Sequence, residues 1–135
     1  MATQDACDCS CGSAPKLIYS CSGAADVGAI ADLAARKLSR EGAGKMSCLA
    51  GIGGDVAGLV KSAEAASAIL AIDGCPLNCA RKTLEKAGFT GFLHLELSGL
   101  GFRKTQSPVD DAAIGSAAAA GGALLAQVRS PAPSP

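Results

Sequence analysis

The sequence predicts a single α/β domain, three layers deep, built on a mainly parallel four-stranded sheet between a flexible N-terminal arm and a proline-rich C-terminal tail. Three observations carry that prediction. Short apolar runs without alternation, such as Ala68-Ile69-Leu70-Ala71-Ile72, are what a strand buried on both faces requires. These runs alternate with amphipathic stretches, the pattern of repeated βα units. A chain of 135 residues is one domain's worth, large enough for a real core without covalent staples.

The elements follow in order. Lys16 to Cys21 reads as the first strand, and Asp26 to Arg40 as the first helix, with Val27, Ile30, Ala34 and Leu38 on one face before Gly42 and Gly44 end it. Lys45 to Leu49 is a weaker second strand. Asp55 is placed to cap a second helix carrying Val56, Leu59, Val60 and Ala63. The third strand is Ala68 to Asp73. Pro76 then fits the first position of a third helix, which buries Leu77, Ala80 and Leu84 and ends at Gly88. In Phe92 to Leu97, alternating Leu93, Leu95 and Leu97 describe an edge strand with one wet face, which puts His94 toward solvent. A last helix runs from Val109 to about Ala120, where Gly121-Gly122 interrupts it. Domain boundaries follow: a Cys-rich arm over 1–14, the α/β domain over 15–128, and a disordered tail over 129–135.

Composition excludes several function classes. Net charge is zero, aromatics make up 3% and no basic run stands out, so the footprint of a nucleic-acid binder is missing. No stretch is long and apolar enough to predict a membrane anchor. The first residues carry acid rather than base, which points away from secretion and toward the cytoplasm. Reducing cytosol keeps thiols free, and seven cysteines, an odd number, fit poorly with closed disulfides. Metal binding, sulfur chemistry and redox sensing are the remaining uses, and no protein partner is indicated.

The thiols converge on one place. Asp73-Gly74-Cys75-Pro76-Leu77-Asn78-Cys79 sets two of them where a strand runs into a helix, with Cys75 as the expected cap and Cys79 one turn later. Cys21 ends the first strand and Cys48 the second. Right-handed crossovers send all these strands in one direction, so the cysteines belong to one sheet edge, the edge where open α/β sheets bind ligands. Strand order 2-1-3-4 brings them nearest, because it seats the first strand between the second and third. Strands about 4.8 Å apart and zinc–sulfur bonds of about 2.3 Å are compatible once the sulfurs sit on loops. The expectation is one zinc held by Cys21, Cys48, Cys75 and Cys79, a closed set that is structural rather than hydrolytic.

Asp73-Gly74-Cys75 with Cys79, the Cys21-Ser22-Gly23 turn, and Cys48 followed by Gly51-Ile52-Gly53-Gly54 together resemble the DGC domain, a bacterial family named for its Asp-Gly-Cys. The resemblance spans about Pro15 to Asp111. It implies a zinc site on the family's four shared cysteines, which match Cys21, Cys48, Cys75 and Cys79, and names no reaction or substrate; the physiological role stays open between metal or sulfur homeostasis and sensing.

Two other chemistries use the same thiols. In a thiol redox enzyme or sulfur carrier, Cys75 is the nucleophile and Cys79 or Cys21 resolves it. In an iron–sulfur protein the four thiolates hold a cluster. The Cys7-x-Cys9-x-Cys11 arm is a further candidate for passing a soft metal or sulfur to the main site. Gly51-x-Gly53-Gly54 reads as a tight turn, since it lacks the dinucleotide and P-loop spacings. His94, the one histidine, is left outside the site, and Asp73 either orients backbone N–H groups beside the sulfurs or merely ends its strand.

Overall fold

The computed structural model describes residues 14–128. Cys7, Cys9 and Cys11 of the expected arm, and the expected tail, lie outside these residues. The chain forms β1 (Lys16–Ser20), α1 (Asp26–Arg40), β2 (Lys45–Met46), α2 (Leu49–Gly53), α3 (Ala57–Ala65), β3 (Ala68–Asp73), α4 (Cys79–Lys86), β4 (Leu93–Glu96), a 3-10 turn (Leu97–Leu100) and α5 (Asp111–Ala126). All four strands are parallel in the order β2-β1-β3-β4, the order the cysteine positions predict.

Alternation along the central strands divides the interior into two layers. Ile18, Leu70, Ile72 and Leu95 point to one face, under Ile30, Ala34 and Leu38 of α1 and Ala117 and Leu125 of α5. Leu17, Tyr19, Ile69 and Ala71 point to the other, under Ile52 of α2, Ala63 of α3, and Ala80 and Leu84 of α4. Each large apolar side chain so enclosed contributes roughly 2 kcal/mol. Tyr19 is wholly buried, and its hydroxyl approaches Ser47 without a well-formed hydrogen bond; burial pushes the phenol above its usual range.

Several elements depart from expectation. Only Lys45 and Met46 pair as β2, because the chain turns at Ser47, whose N–H donates to Ile18 O at 2.9 Å, and enters α2. Gly51 and Gly53 therefore lie in a short helix rather than a plain turn. Asp55 does not cap α3: it takes a left-handed φ of 57°, and Val56 occupies the cap. The helix after β3 begins at Cys79, not at Pro76, which leaves Leu77 59% exposed. Gly121-Gly122 does not stop α5. A Cβ at Gly121 would stand 3.1 Å from Leu38 Cδ1 and Leu70 Cδ2, so the missing side chain is what lets the helix lie against α1 and the sheet. Lys16 Nζ caps the far end of α5, donating to Leu125 O at 2.9 Å and Val128 O at 3.1 Å. No helix among the described residues is long and apolar enough to cross a membrane.

Candidate functional site

The carboxyl ends of β1 and β3 bring Cys21 and Cys75 to the rim of one cavity, because the two strands pair in register from Lys16↔Ala68 to Ser20↔Ile72. Cys21 N donates to Ile72 O at 3.0 Å, and Gly74 N donates to Cys21 Sγ at 3.4 Å, so the two loops are tied at their roots. Glycines make the approach possible. A Cβ on Gly74 would stand 2.6 Å from Val27 C and O, and one on Gly28 would stand 2.9 Å from Gly23 O.

Cys21, Cys75 and Cys79 border one cavity of about 160 Å³, floored by Val27 and Gly28 and edged by Lys104. Cys21 and Cys75 are half-buried, whereas Cys79 is exposed. Cys48, also exposed, does not join them: it is the cap residue of α2 and borders a separate cavity of about 640 Å³ with Ser20, Asp32, Lys45 and Met46. Among the described residues, no three His, Cys, Asp or Glu side chains are drawn close enough to hold a metal ion. Three thiols on one cavity supply the right donors for zinc, and the fourth stands one strand away.

Asp73 organises the start of α4. Its carboxylate is buried and accepts from Ala80 N at 2.7 Å, Arg81 N at 3.1 Å and His94 Nε2 at 2.8 Å. A carboxylate has acceptors alone, so His94 is the donor in that pair. Ala80 and Arg81 are the second and third residues of α4, the ones whose N–H groups a cap side chain ordinarily takes. Asp73 takes both from the strand end, and the Oδ1 of Asn78, the residue in the cap position, is left buried without a partner. The expectation that His94 faces solvent is thus corrected. Period-two alternation puts Asp73 on the Ala71 face, and the β3–β4 register pairs Ala71 with His94. That shared face, covered by α4, was the signal in the sequence.

A second clamp holds the opposite wall. Asp26 accepts from Thr105 N at 2.9 Å and Ser107 N at 3.0 Å, and from Val27 N at 2.8 Å. The Thr105 and Ser107 bonds hold its carboxyl below the usual carboxylate range. Three residues with left-handed backbones flank the cavity: Ser22 (φ 58°) after Cys21, Asn78 (φ 55°) before Cys79, and Thr105 (φ 69°) after Lys104. Backbone strain of this kind, of order 1 kcal/mol per residue, gathers where a site over-determines its loops.

A model of the DGC domain family matches residues 17–120, nearly the whole described domain. The chain is also 44% identical over 88 residues to the anaerobic and virulence modulator AnvM of Pseudomonas aeruginosa, covering 65% of this chain and 67% of that protein. No solved structure matches the chain. With its Asp73-Gly74-Cys75 motif at the end of β3 and the match extending from β1 into α5, the chain belongs to the DGC domain family.

Proposed function

We propose that the chain is a small bacterial regulatory protein whose domain binds one zinc ion at the sheet's carboxyl edge. Cys21, Cys75 and Cys79 hold the ion, and Cys48 joins as the fourth thiolate. The observation that carries this reading is the meeting of three thiols from two strand ends and a helix start around one cavity. The N–H of Gly74 aimed at Cys21 Sγ adds the kind of backbone donor that orients metal-bound sulfur. The regulatory half of the reading rests on the likeness to AnvM, a protein named as a modulator. Bound zinc supplies a fixed tetrahedral node, worth on the order of 10 kcal/mol of folding in small metal domains. Because Cys48 and Cys79 are exposed, such a site is suited to losing and regaining its metal, which is what a regulator of this kind requires.

Metal analysis of full-length protein purified anaerobically without added metal tests the reading. The expected result is about one equivalent of zinc per chain, lost in Cys75→Ser and weakened in Cys48→Ser. Less than about a tenth of an equivalent, with the thiols freely titratable, leaves the redox or sulfur-carrier reading in its place. Visible absorption with iron replaces zinc by an iron–sulfur cluster.

A further inference from the structure

The loop that follows the 3-10 turn carries two cations to the thiol edge. Beside the thiol cavity lies a hollow of about 380 Å³, and the two share Gly74, Cys75, Leu77 and Lys104 as walls. Pro76, Ser98, Phe102 and Arg103 complete the outer hollow. Its size and its apolar lining with a few charged groups are those of a small-molecule site.

The two cations there, Lys104 and Arg103, have no ion-pair partner among the described residues. No carboxylate lines the outer hollow, and the one bordering the inner cavity, Asp73, is buried and occupied by Ala80 N, Arg81 N and His94. Arg103 Nη1 donates to Ser98 O at 3.0 Å and Phe102 O at 2.9 Å, which fixes the guanidinium without neutralising it. Asp26 accepts from the N–H groups of Thr105 and Ser107, and those bonds hold the Lys104 turn in place.

We propose that this hollow binds a small organic anion. Its charged group lies between Lys104 and Arg103, its apolar body lies against Leu77 and Phe102, and its far end meets Cys75. The inference goes beyond zinc binding and needs no metal, since it stands on the walls of the hollow.

Two alkylating probes of the same chemistry and different charge test it. With either iodoacetate or iodoacetamide, Cys75 Sγ attacks the methylene carbon, an S–C bond forms and iodide leaves. The readout is the ratio of the two rates at Cys75, followed by mass spectrometry in the full-length protein and in the same protein under denaturant. In the folded protein the iodoacetate-to-iodoacetamide ratio should be about fivefold higher than in the denatured chain, from two nearby cations in a partly dry site. In the double variant Arg103→Gln/Lys104→Gln the ratio should fall to the denatured value; any change in the thiolate fraction of Cys75 is common to both reagents and cancels in the ratio, and an unchanged urea denaturation midpoint shows the fold intact. Millimolar 3-phenylpropionate, an unreactive apolar carboxylate, should protect Cys75 of the wild type from iodoacetamide. A folded ratio equal to the denatured one, a ratio that survives both substitutions, or no protection overturns the proposal. Metal analysis of the same samples decides the zinc reading separately, and the rate ratios are read after any metal has been removed with a chelator, because a zinc–thiolate cluster is itself anionic and disfavours iodoacetate.

Discussion

His94 Nε2 lies 2.8 Å from Asp73 Oδ2, and this contact joins the edge strand β4 to the carboxylate that caps the Cys79 helix. The two residues are 21 positions apart, yet strand pairing sets them on one face of adjacent strands. The consequence reaches the thiols. Cys75 and Cys79 bracket the loop between Asp73 and its bonds to α4, so the carboxylate sets how far the two sulfurs stand from the sheet.

Asp73→Asn keeps the size of the side chain but turns one acceptor into a donor facing N–H groups that need acceptors. Bonds to a charged acceptor are worth about 1.5–3 kcal/mol, and a buried unpaired group costs as much again, so a loss of about 3 kcal/mol is expected in urea denaturation. His94→Ala removes one donor and leaves both backbone bonds, and should cost about 1 kcal/mol. Equal losses from the two variants would refute the capping role.

Gly74→Ala should be among the most damaging small changes in the domain. The new Cβ would meet Val27 C and O at 2.6 Å and Gly28 N at 2.8 Å, all backbone atoms within the first turn of α1. Overpacking against groups that cannot rotate away costs about 1–3 kcal/mol or more. The readouts are the denaturation midpoint and the alkylation rate of Cys75, and both should change. An unaltered midpoint would mean that the β1 and β3 loops are looser than drawn.

Asp26 gives the domain an acid sensitivity whose sign follows from its bonds. The N–H groups of Thr105 and Ser107 lower its carboxyl below the ordinary range in the folded state. A lowered folded value means that the stabilisation is fully present above the unfolded value, about 3.9, and is lost as pH falls through the folded one. Asp26→Asn should therefore be less stable than wild type near neutrality, and the gap should close as the pH is taken below about 4. A gap that persists unchanged at pH about 2 would show that the loss comes from packing instead of charge.

The parts of the fold that short-range pattern describes were legible. Unbroken apolar runs marked β1 and β3, and the requirement that Cys21, Cys48 and Cys75 share an edge selected the strand order. What escaped depends on contacts between distant residues. Pro76 looked like a helix start because proline suits that position, but the N–H groups that define the start are taken by Asp73, which places it at Cys79. His94 looked exposed because alternation cannot say which face a helix covers. Lys104 and Arg103 carried no motif at all; they reach the thiols because Asp26, 79 residues from Thr105 by hydrogen-bond separation, anchors their loop.

Gly115 and Gly121 test how α5 is seated, since both are helical glycines with opposite surroundings. Nothing lies within 4 Å of a Cβ built at Gly115. Gly115→Ala therefore gains helix propensity without a clash, and should stabilise the domain by about 0.5–1 kcal/mol. At Gly121 the same gain is set against contacts of 3.1 Å with Leu38 Cδ1 and Leu70 Cδ2, tighter than most real Cβ contacts. Leu70 is fully buried and has little room to retreat, and overpacking there costs about 1–3 kcal/mol. Gly121→Ala should consequently end neutral or destabilising by up to about 2 kcal/mol. Thermal denaturation of the two variants side by side decides the matter: if Gly121→Ala stabilises as much as Gly115→Ala, α5 does not lie as close to α1 and β3 as these distances require.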